Sequence, residues 1–154
     1  MTTSDIQKIP ELPDLLQRLE AMTCYLPALE DPDFSPGEIR SGQKTGSGSI
    51  IMPYVVLGDI AEAFVTSAYD RGWVLPGFHW VSWARSEDAQ ALCSDPSVLA
   101  RAEAMQLLYL ITALCRQDRF SEGALLGAFK SRLILGIVRR AAAIVEDDKR
   151  KSQS

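Results

Sequence analysis

Apolar residues recur every three or four positions along most of the chain, the spacing that gathers them on one face of an α-helix. The first stripe begins after Pro13 and Asp14 and ends near Pro27, whose ring interrupts a helix. Later stripes predict helices over about residues 59–71, 79–92, 96–115, 121–129 and 131–141. We therefore expect an all-α protein, a compact bundle of about six helices.

Two neighbouring stretches lack this periodicity. Residues 30–49 are rich in Pro, Gly and Ser, which predicts one long loop, with Phe34 anchoring its first part. Residues 50–57 are apolar and β-branched, typical of either a short strand or an extended arm. Pro53 favours an edge position, and no second strand is evident nearby. We therefore expect an extended segment near residues 50–56.

The length and the polar ends of the chain predict a single domain. A chain of 154 residues is served by one hydrophobic core. We expect residues 1–11 to form a flexible tail and residues 12–145 to form the helical domain. Residues 146–154, EDDKRKSQS, are expected to form a second flexible tail.

The balance of charge bears on the class of partner. The formal net charge is -4, so the surface as a whole does not attract nucleic acid. Weak DNA binding by a basic C-terminal helix stays open as an alternative. The residues that would carry it are Arg132, Arg139, Arg140, Lys149, Arg150 and Lys151.

The cysteines and the apolar runs bear on the compartment. Cys24, Cys93 and Cys115 lie far apart in apolar surroundings, which favours reduced thiols over disulfides or a zinc site. The polar N-terminus does not resemble a signal segment. No apolar run approaches the roughly 20 residues that span a bilayer. We expect a soluble cytoplasmic protein without membrane contact, metal or cofactor.

The apolar region near the C-terminal end is interrupted by charged residues, Arg116, Asp118, Arg119 and Glu122. The two arginines beside a following helix N-terminus would suit a bound carboxylate or phosphate. The interpretation we favour is a corner between two helices, in which Arg119 pairs with Glu122 or with an unpaired carbonyl. We further expect Ser121 to cap the next helix and Phe120 to be buried.

Five other residues are candidate binding residues on different grounds. Trp83 and Tyr54 belong to an aromatic-rich region that is typical of either a partner surface or a core. His79 is the single histidine and would need an orienting carboxylate to act as a base. Asp31 and Asp33 offer oxygen ligands, although a simple Asp-Pro turn is the favoured interpretation.

Several motifs taken together resemble the domain of unknown function 6508 family. The resemblance runs from about Leu12 to Ala143. The matching pieces are the stretch ending Leu-Glu-Asp-Pro-Asp-Phe34, Met52-Pro-Tyr54, Phe-x-x-x-x-Tyr-x-x-Gly-Trp73, Phe-x-Trp-x-x-Trp83, and Leu-Ile-Thr-Ala-Leu-x-Arg116-x-Asp-Arg-Phe-x-Glu-Gly123.

This resemblance implies a bacterial protein, of a kind also encoded by mobile elements, but it brings no biochemical role. The chain departs from the family pattern in two places. His79 stands where an acidic residue usually precedes the first tryptophan of the pair. Ser121 and Ala124 stand where Cys and His usually flank the Glu-Gly pair. If the family motif at that second place is a catalytic histidine site, this chain lacks the histidine.

The sequence favours a small helical interaction protein that binds another protein, a class that includes accessory proteins and inhibitors encoded by mobile elements. One alternative is a small-molecule-binding or enzymatic domain that uses Arg116, Arg119, Glu122 and His79. We favour a non-enzymatic role, because no set of nucleophile, base and orienting group is evident.

Overall fold

Helices dominate the part of the chain that the computed structural model describes, residues 12–40, 46, 48 and 53–152. Helical residues make up 68% of this described part, so the protein is mostly helical as predicted. The all-α prediction is corrected by one two-stranded sheet. The described elements are α1 (Leu12–Thr23), α2 (Leu26–Glu30), β1 (Gly37–Arg40), β2 (Tyr54–Leu57), α3 (Asp59–Asp70), α4 (Trp80–Ala84), α5 (Glu87–Ser94), α6 (Pro96–Leu99), α7 (Ala104–Phe120), α8 (Ala124–Lys130) and α9 (Leu133–Ser152).

The sheet is an antiparallel hairpin in which β1 pairs with β2 from Gly37–Leu57 to Arg40–Tyr54. The extended conformation expected near residues 50–56 is confirmed for residues 54–56, but these residues pair as a strand and do not form an unpaired arm. Residues 50–52 lie outside the described part. The partner strand lies within the stretch predicted as a loop. Gly37 has φ 134°, and a Cβ there would collide with the Val56 carbonyl oxygen, so only glycine suits the start of β1.

The core forms around α7, which is buried along most of its length. Helices α1 and α9 pack along each other, and α7 contacts both. The large rings of Phe64 and Trp73 are fully buried, with centroids 5.2 Å apart. This aromatic pair packs α3 and the segment after it into the core.

A buried threonine joins the segment after α3 to α7. The Thr112 hydroxyl accepts a hydrogen bond from the Leu75 backbone N–H at 2.9 Å and lies 2.7 Å from the Leu108 carbonyl, to which it donates. Thr112 is completely buried. Its hydroxyl therefore satisfies a backbone donor that has no helical partner of its own.

Several predicted helix boundaries differ from the observed ones. Ser86 accepts a hydrogen bond from the Ala89 N–H and starts α5, so the helix predicted over 79–92 is two helices. Asp95 caps α6 as predicted, but a capping box of Glu103 and Gln106 then starts α7 as a separate helix.

The C-terminal end of the chain also differs from the prediction. Helix α9 continues to Ser152, so most of the predicted second tail is helical. Ion pairs from Lys149 to Glu20 and from Lys151 to Asp147 accompany this extension. The predicted tail of residues 1–11 lies outside the described part. Within the described ranges, no helix has both the length and the apolar character needed to cross a bilayer.

Candidate functional site

The charged segment lies at a corner between α7 and α8, and the predicted break between two helices is confirmed. Helix α7 ends at Phe120, Gly123 adopts a left-handed conformation with φ 106°, and α8 starts at Ala124. Glycine suits this position because the missing Cβ makes positive φ inexpensive.

Asp118, and not Ser121, caps α8. Its Oδ1 accepts hydrogen bonds from the backbone nitrogens of Gly123 at 3.2 Å and Leu125 at 3.1 Å. Ser121 is the C-cap residue that follows α7, so the predicted cap is wrong. A carboxylate on the last turn of one helix reaches the free N–H groups of the next, which gives a charge-assisted bond that a hydroxyl does not offer.

The predicted pairing of Arg119 with Glu122 is also wrong, because each side chain has another partner. Glu122 Oε1 accepts a hydrogen bond from the Val55 backbone N–H at 2.7 Å. The Arg119 guanidinium lies over the Tyr69 ring, 5.2 Å from its centroid. The corner therefore holds the hairpin through Glu122 and the end of α3 through Arg119.

Arg116 lies one turn before Phe120 on α7 and is half-buried. Among the described residues, its guanidinium has no hydrogen-bond or ion-pair partner.

The adjacent Cys115 thiol is buried, and burial raises its pKa to about 12, with Asp118 adding to the rise while Arg116 and Arg119 oppose it. A thiol with this pKa is not a nucleophile near neutral pH.

Phe120 is the most exposed large apolar side chain among the described residues, with 82% of its surface accessible. The expectation that it is buried is therefore wrong. It stacks on Trp80 with ring centroids 6.2 Å apart and an interplanar angle of 23°. Val81, the next residue of α4, is 45% exposed. We call Phe120, Trp80 and Val81 the Phe120 surface.

Helix phase explains why Phe120 points outward. Cys115 lies on the buried face of α7. Five residues further along, a helix has turned by about 140° from that face. Trp80 is only half-buried, whereas Trp73 is completely buried.

His79 and Trp83 lie on either side of Trp80 in sequence but in different surroundings. His79 is exposed at the start of α4 and lines a shallow cleft of about 210 Å³ formed by residues 78–82. Trp83 packs inward, with its ring centroid 6.0 Å from Phe78 and 5.5 Å from Tyr109. The cleft beside His79 is not lined by Arg119 or Trp83.

Tyr54 lies on β2 opposite Arg40 and is 43% exposed. Arg40 Nε donates a hydrogen bond to the Glu38 carboxylate, and this bond, followed by the one with Tyr54, raises the pKa of Arg40, which remains a cation. Tyr54 adjoins Val55, whose backbone N–H binds Glu122, so Tyr54 lies near the corner between α7 and α8.

Asp31 and Asp33 form a turn of their own at the end of α2. Asp31 Oδ1 accepts a hydrogen bond from the Asp33 backbone N–H at 2.9 Å, and both residues are exposed. Phe34 packs on Phe129 with centroids 6.1 Å apart, the anchor expected for this segment. The structure therefore gathers Arg116, Arg119 and Glu122 at the corner but keeps the two aspartates in a separate turn.

These features define a mostly helical protein in which a β-hairpin is fastened to a helix–helix corner beside an exposed aromatic pair. The chain belongs to a family of unknown function, DUF6508, whose family model matches residues 15–147. This match confirms the resemblance drawn from the motifs. No curated protein and no solved structure matches the chain.

Proposed function

We propose that this chain is a small interaction protein that binds another protein through the Phe120 surface. The observation that carries the proposal is the 82% exposure of Phe120 while its ring is stacked on Trp80. Aromatic side chains are enriched among the few residues that dominate binding energy in interfaces.

The energy of burying Phe120 is largely unused in the free chain. Complete burial of such a side chain stabilises by roughly 1.5–3 kcal/mol relative to exposure. A partner that covered the ring would therefore gain most of this free energy. The stack on Trp80 already limits the rotation of the Phe120 side chain, so less conformational entropy is lost on binding.

The charges beside this surface suggest the character of the partner. Arg116 lies one helical turn from Phe120 and has no ionic partner among the described residues. The guanidinium of Arg119, next to Phe120, lies over the Tyr69 ring. A partner with an apolar pocket bordered by acidic side chains would match this arrangement.

The contacts at the corner weigh against the ligand-binding or enzymatic alternative. Asp118, Arg119 and Glu122 are each engaged within the chain. The DNA-binding alternative is weakened because Lys149 pairs with Glu20 and Lys151 pairs with Asp147. The proposal extends to a cytoplasmic, bacterial accessory protein or inhibitor encoded by a mobile element, which rests on the family resemblance and on the three free cysteines.

Site-specific photocrosslinking tests this proposal. A benzophenone amino acid replaces Phe120 in the full chain, and the same amino acid replaces the exposed Glu146 on α9 as the control. We expect a discrete protein adduct in cells from position 120 and none of the same mass from position 146. Equal labelling from both positions, or no protein adduct from position 120, would overturn the proposal.

A further inference from the structure

A cleft of about 540 Å³ lies between α9 and the α5–α6 segment, on a part of the molecule that the Phe120 surface does not include. Its apolar lining includes Leu92, Leu99 and Leu133. Gly136 brings α9 close to α6, since a Cβ there would lie 2.6 Å from Leu99 Cδ2. The cleft falls within the size range of pockets that hold small organic ligands.

All the charged side chains that line this cleft are arginines, namely Arg132, Arg139 and Arg140. Three cations without an acidic neighbour in the lining contrast with the net charge of -4 of the whole chain. The cleft thus combines an apolar surface with a local positive potential, which attracts an anion that also carries an apolar body.

The three arginines differ in how far they are already engaged. Arg139 forms an ion pair with Glu30 at 3.1 Å. Arg140 Nε donates to the Ala102 carbonyl oxygen at 2.8 Å, which orients the rest of its guanidinium. The Arg132 guanidinium has no hydrogen-bond or ion-pair partner within the described ranges. Arg132 is therefore the cation with the most donors left for a ligand.

The backbone of Arg132 is held in an unfavourable conformation. Its φ is 68°, and among the described residues it is the one non-glycine with positive φ. An L-residue in the left-handed region costs roughly 1–2 kcal/mol. The chain keeps a long cationic side chain at a position where glycine would be less strained, and such strain is common at ligand-binding residues.

We propose that this cleft binds a small amphiphilic anion, with its apolar body on the leucines and its single carboxylate-type head group on Arg132 and Arg140. A guanidinium binds such a head group through two parallel hydrogen bonds. Burial of the apolar body supplies the remaining affinity.

A long acidic partner matches the surface less well than a compact anion. The neighbouring groove at one end contains Glu30 and Asp31. The groove at the other end contains Glu103 and Asp147. These carboxylates confine the positive potential to the cleft and would repel acidic side chains that extended beyond it. The positively charged part of the cleft is therefore short and suits one anionic head group.

Titration calorimetry on the full chain with three probes separates the two parts of the ligand. Decanoate carries both the apolar body and the anion, decanol carries only the body, and acetate carries only the anion. We expect decanoate to bind at least about tenfold more tightly than either of the others. If decanol binds as tightly as decanoate, the role of the arginines is overturned. If acetate binds as tightly as decanoate, the role of the apolar lining is overturned.

A variant that removes strain and charge together gives the decisive comparison. Arg132→Gly is expected to fold at least as stably as the wild type, because glycine tolerates positive φ. It should nevertheless raise the dissociation constant for decanoate roughly tenfold or more, since a charge-assisted hydrogen bond is lost. Lys130→Ala removes the same charge from outside the cleft and should leave the affinity unchanged.

Cys93 provides a second measurement in the unaltered protein, because it is exposed and lines the cleft, whereas Cys24 is exposed elsewhere. Decanoate should slow alkylation of Cys93 and leave Cys24 unaffected. The proposal is overturned if decanoate fails to bind at millimolar concentration or if Arg132→Gly binds as the wild type does. Occupation of the cleft by an acidic peptide or a second copy of the chain, without decanoate binding, would also overturn it.

Discussion

Glu122 joins the β-hairpin to the α7–α8 corner, with its Oε1 2.7 Å from the backbone nitrogen of Val55. The N–H group of Val55 points away from β1, so this carboxylate satisfies the outer edge of a two-stranded sheet. Such an edge is otherwise open to pairing with another chain. A residue that sequence reasoning placed in an ion pair thus holds a strand in place.

Replacing Glu122 with Ala should loosen the hairpin more than it destabilises the whole protein. We expect a loss on the order of 1 kcal/mol in the free energy of unfolding, because an exposed hydrogen bond contributes modestly. The Val55 amide should exchange with solvent much faster, which hydrogen-exchange NMR measures directly. Glu146→Ala is the control at an exposed glutamate of α9, and unchanged exchange at Val55 in Glu122→Ala would contradict the assignment.

The two candidate caps of α8 are separated by a pair of substitutions. Asp118→Ala should lower the free energy of unfolding by about 1 kcal/mol, since the N–H groups of Gly123 and Leu125 lose their acceptor. Asp118→Asn keeps one acceptor oxygen and should cost less. Urea unfolding measures both, and a larger loss in Ser121→Ala than in Asp118→Ala would restore the cap that the sequence predicted.

Sequence reasoning predicted this corner as a break between helices but not how its side chains pair. Helix ends are marked by local signals, such as Asp95 before Pro96, that the sequence displays directly. The partners of Glu122 and Arg119 lie 67 and 50 residues away in sequence, on elements that only the fold brings near. No local pattern contains that information.

The missed strand and the exposed phenylalanine have different causes. β1 is short and largely exposed, so its residues do not alternate between apolar and polar as a half-buried strand would. Phe120 was assigned to the core on its chemistry alone. Its position on α7 relative to the buried Cys115 indicates instead that Phe120 faces outward. An apolar side chain alone does not show that a residue is buried.

Phe120 should contribute little to the stability of the free chain. Because 82% of its surface is already accessible, Phe120→Ser should change the free energy of unfolding by no more than about 0.5 kcal/mol. The buried Phe64 is the matched control, and Phe64→Ala should cost roughly 3–5 kcal/mol. Thermal unfolding of both variants makes the comparison. A severe loss in Phe120→Ser would show that the ring supports the fold instead of a partner.

Cys115 should make the protein less stable at high pH. Burial raises the pKa of this thiol from 9.0 to about 12, so the folded state holds the proton more tightly than the unfolded state. The stabilising contribution is therefore complete below about pH 9 and is lost as the pH rises toward 12, by up to about 1.4 kcal/mol for each pH unit.

Urea unfolding of the wild type and of Cys115→Ala at pH 8 and at pH 10 isolates this effect. Other alkaline groups titrate in both proteins and cancel in the comparison. Cys115→Ala is expected to be less stable at pH 8, because it leaves a cavity in the core, but its stability should fall less between the two pH values. Parallel losses in the two proteins would mean that the Cys115 thiol ionises as readily in the folded state as in the unfolded chain.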